Sequence, residues 1–113
     1  MLLAIDIGNT NIVLGLYQGK KLMTHWRLLT VAERTADEYG VIITQLVRNA
    51  GIQAHQISAI VVSCVVPPML TVSQELAEKF FKLEPLIIGP GIKTGMPILY
   101  ESPKDVGADR IVG

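Results

Sequence analysis

The sequence predicts an α/β domain whose mixed sheet begins with three antiparallel strands and continues with alternating helices and parallel strands. Half of the 113 residues are hydrophobic and only 18% are charged, which is typical of strands buried on both faces and excludes a disordered chain. The first quarter of the chain contains short β-prone segments separated by turn residues. Farther along, segments with helical periodicity alternate with continuous apolar runs.

The first quarter of the chain contains three apolar, β-prone segments, which are predicted to be strands over residues 2–7, 12–17 and 21–28. Turn residues separate these strands at 8–11 and at 18–20. Because such short turns connect antiparallel neighbours, the three strands are expected to pair consecutively. Alternation within the third strand places His25 and Arg27 on one face.

A first helix is predicted over residues 35–49, and Gly51 follows as a stop signal. Its apolar residues recur at helical spacing, at Tyr39, Ile42, Ile43, Leu46 and Val47. The β-branched run 57–66 is typical of a fully buried parallel strand, and Pro67-Pro68 halts it.

A second helix is predicted over residues 69–82, with the second proline in its first turn, and a short buried strand follows at 86–88. A loop and an extended segment come next, at 89–91 and 95–100. Ser102 is then a suitable N-cap for a helix that begins near Lys104. The chain stops within an apolar stretch at Gly113, so we expect it to be part of a longer protein.

The ten basic and ten acidic residues cancel. A neutral chain lacks the basic surface that binding to a phosphate backbone requires, so we expect no nucleic-acid partner. Asp6 interrupts the apolar start too early for a signal peptide, and no apolar run approaches the ~18 residues of a membrane helix. Cys64, the single cysteine, lies in an apolar run, where a core residue in a reducing compartment is the common case. We therefore expect a cytoplasmic protein without membrane contact.

Residues 6–11, Asp-Ile-Gly-Asn-Thr-Asn, follow the first predicted strand and have the residue types of a phosphate-binding turn. Gly8 lets a phosphate approach the backbone, and exposed N–H groups with the Asn9 and Thr10 side chains can donate to phosphoryl oxygens. Asp6 can hold Mg²⁺ directly or through water. A plain hairpin with Gly and Asn as turn residues explains these six residues equally well.

Asp109 and Arg110 are a second candidate site, near the start of a predicted helix. The Asp109 carboxylate can take a proton from a hydroxyl group while the Arg110 guanidinium pairs with an anion. For an isolated Asp-Arg pair, a solvated ion pair on a helix surface is the more common role. Charge alone therefore leaves both roles open.

The order of elements around the Asp-x-Gly-Asn-Thr turn resembles the actin-like ATPase fold, a ribonuclease H-like fold whose first hairpin holds the β- and γ-phosphates of ATP between two domains. Four ordered motifs resemble one family with this fold, the type III pantothenate kinases. They are Asp-Ile-Gly-Asn-Thr, Val-Ser-Cys-Val-Val-Pro, Gly-Pro-Gly followed by Thr-Gly, and Gly-Ala-Asp-Arg-Ile-Val. Together they span nearly the whole chain, which makes a chance match a poor explanation.

The resemblance implies roles for the residues that match the family motifs. ATP phosphates would be bound by the turn residues Asp6, Ile7, Gly8, Asn9, Thr10 and Asn11, with Mg²⁺ at Asp6. Asp109 would be the general base that deprotonates the pantothenate hydroxyl. The pantothenate pocket would be lined by Tyr100, Gly107, Ala108, Asp109 and Arg110. Ser102 and Gly113 depart from the family pattern, in which Asn is common at both positions, and the first departure can alter the loop that carries Tyr100.

The implied reaction is the ATP-dependent phosphorylation of pantothenate to 4′-phosphopantothenate, the first step of coenzyme A biosynthesis. The family also implies a bound K⁺ or NH₄⁺ ion, a homodimer, and a second domain that this chain lacks, so we expect residues 1–113 alone to be inactive. One alternative is an actin-like kinase for another small hydroxy substrate. Another is a non-catalytic nucleotide-sensing or transcriptional accessory protein, although such a scaffold has no need of Asp6 and Asp109.

Overall fold

The computed structural model describes residues 1–88, in which five strands form one mixed sheet and two helices pack against it. The strands are β1 (Leu2–Ile7), β2 (Asn11–Gln18), β3 (Lys21–Leu29), β4 (Ala59–Cys64) and β5 (Leu86–Ile88). The helices are α1 (Ala36–Asn49) and α2 (Pro67–Phe81), and one turn of 3-10 helix spans Ala54–Gln56. The strand order across the sheet is β3-β2-β1-β4-β5.

Strand β1 lies at the centre of the sheet, antiparallel to β2 and parallel to β4. Strand β2 also pairs antiparallel with β3, and β5 extends the parallel side next to β4. The short turns between the first three strands allow antiparallel neighbours, whereas the crossover through α1 returns the chain parallel to β1. The predicted mixed sheet, with its antiparallel start and its later parallel strands, is therefore confirmed.

The hydrophobic core lies between one face of the sheet and the two helices. Alternate residues of the three central strands point to this face: Leu3, Ile5, Ile7, Ile12, Leu14, Leu16, Ile60 and Val62. The helices contribute Tyr39, Ile43, Val47, Met69, Leu76, Ala77 and Phe81. Because this core and two neighbouring strands hold β1, the turn that follows β1 begins from a fixed position.

Helix α1 begins next to its predicted first residue, Thr35, which is the N-cap. Thr35 Oγ1 accepts a hydrogen bond from the Glu38 N–H at 3.2 Å, and Glu38 Oε1 accepts one from the Thr35 N–H at 2.7 Å. This reciprocal capping box satisfies two donors that the first helical turn would otherwise leave unpaired. The sequence pattern therefore predicted this helix almost to the residue.

Helix α2 begins two residues earlier than predicted, at Pro67 and not at Met69. Both prolines occupy the first turn. Backbone N–H groups there have no acceptor within the helix, so the missing N–H of proline removes no helical hydrogen bond. Strand β4 is shorter than the predicted run 57–66, because it extends only as far as its partner β1, residue for residue. The apolar pattern overestimates the length of the strand, because the ends of a strand are set by its pairing and not by its hydrophobicity.

Strand β5 occupies residues 86–88, as predicted. The predicted loop 89–91, the extended segment 95–100 and the helix from Lys104 lie outside the described residues. Within residues 1–88, no helix is long and apolar enough to cross a membrane.

Candidate phosphate-binding site

The turn predicted to bind phosphate lies at the carboxyl end of β1, beside the carboxyl end of the parallel strand β4. This edge of an α/β sheet is a common place for ligands, because a crevice opens outside the strand ends. Asp6 is the penultimate residue of β1 and is 7% exposed. Since Ile5 and Ile7 point into the core, the Asp6 carboxylate lies on the other face of the sheet.

Residues 8–11 form a tight turn between β1 and β2. The Gly8 N–H donates a hydrogen bond to Asn11 O at 2.9 Å, which closes the turn. A Cβ atom at position 8 would lie 3.2 Å from the same oxygen, so a larger residue would press the two arms of the turn apart. Gly8 therefore permits this close approach, and the residues at the tip, Asn9 and Thr10, are exposed.

Thr30, the residue after β3, contacts the turn at two points. Its N–H donates to Thr10 O and its hydroxyl donates to Gly8 O, each at 2.9 Å. A weaker contact lies beside them, where Arg27 Nη1 is 3.5 Å from Asn11 Oδ1. The end of β3 thus holds the turn from one side.

Sequence motifs do not single out Thr30, because nothing in its local sequence marks it. Its place follows from the pairing of β2 with β3, in which Asn11 lies opposite Leu29. The next residues outward, Thr10 and Thr30, therefore face each other. The register of this strand pair is the one signal that could have identified Thr30 beforehand.

Cys64 ends β4 beside the turn, paired with Ile7 of β1. Its thiol is free and half-buried, and it donates to Val66 O with an S–O distance of 3.1 Å. Burial raises the pKa of the Cys64 thiol above its ordinary value, and the negative charge of nearby Asp6 raises it further. The thiol packs against the edge of the hydrophobic core, so Cys64 is less buried than the core residue that the sequence predicted.

Asp6 is the residue at this turn that could hold a metal ion. Within the described residues, no group of three or more His, Cys, Asp or Glu side chains is placed to form a metal site by itself. Mg²⁺ in phosphoryl-transfer sites does not need such a group of side chains, since one or two carboxylates, substrate phosphates and water complete its coordination. The single carboxylate at the turn therefore suits Mg²⁺ that arrives with a nucleotide.

A second concave surface in the described part of the chain is an open groove between the start of α1 and the end of α2. Three of its six lining residues are acidic: Asp37, Glu75 and Glu78. Lys79 lies in the groove, and its Nζ forms an ion pair with Asp37 Oδ1 at 2.8 Å. Because three carboxylates repel a phosphate group, this groove is a poor nucleotide site.

The structure brings all six residues of the predicted phosphate-binding segment 6–11 together in one strand end and one turn. Their roles in binding remain predictions. The residues assigned to the pantothenate pocket and the base lie outside the described residues: Tyr100, Gly107, Ala108, Asp109 and Arg110. Their roles also remain predictions.

A family model described as type III pantothenate kinase matches residues 2–113 of this chain. Over 112 residues the chain is 54% identical to a type III pantothenate kinase from Myxococcus xanthus and 55% identical to one from Geobacter sulfurreducens. Each alignment covers 99% of this chain and 44% of the relative. The chain thus spans less than half the length of the curated relatives it matches.

Solved structures show a similar fold at low sequence identity. A ROK hexokinase from Thermus thermophilus matches with a TM-score of 0.61 and 17% identity, over 79% of this chain and 35% of the hexokinase. RuvC from the same organism matches with a TM-score of 0.56 and 15% identity, over 98% of this chain and 88% of RuvC. At these identities the likeness shows the fold alone, and it confirms the predicted ribonuclease H-like, actin-like fold.

Proposed function

This chain belongs to the type III pantothenate kinase family, and on that premise we propose that the protein containing it transfers the γ-phosphoryl group of ATP to pantothenate. The product is 4′-phosphopantothenate, and the reaction is the first step of coenzyme A biosynthesis. The observation that carries the proposal is the family match over residues 2–113, supported by relatives of that name at more than half identity over 112 residues.

The turn at residues 8–11 supports the nucleotide part of the proposal. Phosphoryl transfer depends mainly on positioning and on charge stabilisation, so a kinase needs a rigid backbone cradle more than a reactive side chain. Gly8 permits a tight turn, and Asn9 and Thr10 expose donors at its tip. In our proposal residues 6–11 bind the phosphates of ATP.

Asp6 holds the Mg²⁺ that accompanies ATP in this proposal, directly or through water. The ion neutralises charge on the transferred phosphoryl group when it is bound. Asp6 is well placed for this role, because its carboxylate is largely buried and stands at the strand end that leads into the turn. Water therefore screens the carboxylate less than it screens a surface carboxylate.

The acceptor part of the proposal rests on the family motifs alone. Asp109 is assigned as the base that takes the proton of the pantothenate hydroxyl as the oxygen attacks phosphorus. The residues assigned to the pocket that positions this hydroxyl are Tyr100, Gly107, Ala108 and Arg110. A further domain, a K⁺ or NH₄⁺ ion and a second subunit would complete the site, in a cytoplasmic homodimer that binds no nucleic acid.

The test is phosphorylation of pantothenate by the full-length protein that contains this chain, measured as ADP release with and without K⁺. We expect turnover that requires both ATP and pantothenate. Asp109→Asn should lower turnover by about 100-fold or more, which is the usual worth of a positioned base. The exposed residue Asp37 offers a matched control, because Asp37→Asn makes the same chemical change outside the proposed machinery.

Each contrary outcome points to a different conclusion. A folded protein that binds ATP and phosphorylates another alcohol, but not pantothenate, would contradict the substrate assignment and leave a kinase of a different specificity. ATP binding without turnover on any alcohol would contradict catalysis and favour a nucleotide-sensing protein. An equal loss of turnover in Asp37→Asn and Asp109→Asn would contradict the specific role of Asp109.

A further inference from the structure

Thr30 holds the candidate phosphate-binding turn through two carbonyl groups, those of Gly8 and Thr10. Its hydroxyl donates to Gly8 O and its N–H donates to Thr10 O, each at 2.9 Å. The backbone bond extends the β2–β3 ladder by one residue, whereas the side-chain bond reaches past β2 to the end of β1. The hydroxyl therefore makes a connection that the sheet ladder cannot make.

These two hydrogen bonds set the direction of the neighbouring N–H groups. No described peptide bond is cis, and a planar trans peptide holds its C=O and N–H antiparallel. When Gly8 O points to Thr30, the Asn9 N–H points away from it. In the same way, the bond to Thr10 O turns the Asn11 N–H away from Thr30. These two N–H groups therefore lie on the side of the turn opposite Thr30, where they can donate to a phosphate.

Thr30 is itself held in place by helix α1. Tyr39 is 1% exposed, and its Oη accepts a hydrogen bond from the Val31 N–H at 2.7 Å. The same oxygen lies 3.1 Å from Val31 O and 3.3 Å from Leu29 O, so its single proton donates to one of these carbonyls at a time. The residues on both sides of Thr30 are thus fastened to a buried side chain.

We propose that Thr30 is a positioning residue, which keeps residues 8–10 in the conformation that binds the phosphates of ATP. The inference rests on the proposed function, since it assigns Thr30 a role at the same turn. Thr30 acts through the backbone of the turn and does not contact the reacting atoms. A merely structural role for Thr30 would change the stability of the fold and affect both substrates alike.

The experiment compares Thr30→Val, which removes the hydroxyl and keeps the branched shape, with Thr30→Ser, which keeps the hydroxyl. In the full-length protein, the Kd for Mg²⁺-ATP is measured by equilibrium dialysis, and KM for ATP and for pantothenate by ADP release. For Thr30→Val we expect both constants for ATP to rise about 3- to 10-fold, the usual effect of one net hydrogen bond. We expect KM for pantothenate to stay within about twofold. Thr30→Ser should bind ATP like the wild type.

Thr44 offers a matched control for the loss of a buried threonine hydroxyl. Its Oγ1 is buried and has no hydrogen-bond partner among residues 1–88. Thr44 lies in α1, the helix that also contains Tyr39. Thr44→Val should therefore leave the Kd for ATP unchanged. A larger effect of Thr44→Val than of Thr30→Val would overturn the inference.

Three other results would also overturn it. The first is that Thr30→Val binds ATP as tightly as the wild type, although the wild-type protein phosphorylates pantothenate. This result would overturn the role of Thr30 and leave the proposed function unchanged. The second is an equal rise of KM for ATP and for pantothenate in Thr30→Val, or a rise of the Kd for ATP in Thr30→Ser as large as that in Thr30→Val. The third is a wild-type protein that does not bind Mg²⁺-ATP, which would overturn the proposed function as well. If Thr30→Val does not fold, Thr30→Ala lacks the same hydroxyl and replaces it in each comparison.

Discussion

Alanine should be tolerated at position 40 only when the side chain at position 80 is smaller than phenylalanine. Gly40 lies on the buried side of α1 and faces Phe80 of α2. A Cβ atom at position 40 would lie 2.7 Å from Phe80 Cζ and still closer to Cδ1 and Cε1. Since carbon atoms normally pack about 3.5–4.0 Å apart, the ring or one of the helices must move by more than about 1 Å.

Two opposing effects decide the stability of Gly40→Ala. Alanine in a helix interior is favoured over glycine by about 0.5–1 kcal/mol, and this gain applies at position 40. Overpacking of a filled contact costs about 1–3 kcal/mol. The overlap with three ring atoms is severe, so the cost should exceed the gain. We expect a net loss of about 1 kcal/mol in the free energy of unfolding.

A double-mutant cycle with Phe80→Ala separates these two effects. Without the ring the overlap is gone, and Gly40→Ala should stabilise the chain by about 0.5–1 kcal/mol through helix propensity alone. The coupling energy between the two positions is then about 2 kcal/mol, which is within the range for residues in direct contact. The effect of Gly40→Ala on the free energy of unfolding should therefore change sign between the wild-type and the Phe80→Ala backgrounds.

Urea-induced unfolding of the 113-residue chain, followed by far-UV circular dichroism, measures all four free energies. The dependence of free energy on urea concentration should be the same in each variant, because the surface exposed on unfolding hardly changes. Stabilisation by Gly40→Ala in the wild-type background would refute the expected clash. An equal effect in both backgrounds would refute the contact between Gly40 and Phe80.

Three further predictions concern the cap of α1, the ion pair between the helices, and the cysteine. Thr35→Ala should destabilise the chain by about 1 kcal/mol, because it removes the side-chain acceptor of the capping box, and Thr35→Ser should restore most of the loss in urea unfolding. Asp37→Asn should cost less than about 0.5 kcal/mol, because Asp37 and Lys79 are each more than 60% exposed. Cys64 should react with iodoacetamide near pH 8 more slowly in the folded chain than in urea, since burial raises the pKa of its thiol.

The raised pKa of Cys64 also sets the sign of a pH effect on stability. As pH rises through the ordinary thiol pKa of about 8.5, the unfolded chain loses this proton before the folded chain does. The stability that Cys64 contributes is therefore present below this pH and decreases above it, and Cys64→Ala should weaken the decrease in urea titrations. Rapid alkylation of the folded chain, a loss above 2 kcal/mol in Asp37→Asn, or no loss in Thr35→Ala would contradict these predictions in turn.

Much of this fold is predictable from local sequence because each element carries its own signal. The stripe from Tyr39 to Val47 identifies α1, and Thr35 with Glu38 marks its start. The turn at 8–11 is equally local, since glycine and short polar residues there interrupt two apolar strands. The candidate site at residues 6–11 is contiguous in the chain, so no knowledge of the tertiary structure was needed to find it.

Residues that act at a distance in sequence are decided only by the tertiary structure. The thiol of Cys64 lies near the Asp6 charge because β4 pairs with β1, and hydrophobicity does not specify which strands pair. The contact between Gly40 and Phe80 likewise depends on how closely two helices approach. In each case the two residues lie far apart in the sequence, so local sequence patterns do not predict that they are close in space.

The class of the fold, the family and the candidate phosphate-binding turn are all predictable from sequence, because periodicity and motifs lie within short segments. The support of that turn by Thr30 is visible only in the folded chain. A β-bulge in the β2–β3 pair shifts the register between Leu16 and Tyr17 by one residue. Without the bulge, Leu29 would lie opposite Thr10, and Thr30 would lose its place beside Thr10. Register is a property of two paired strands, so neither strand alone contains it.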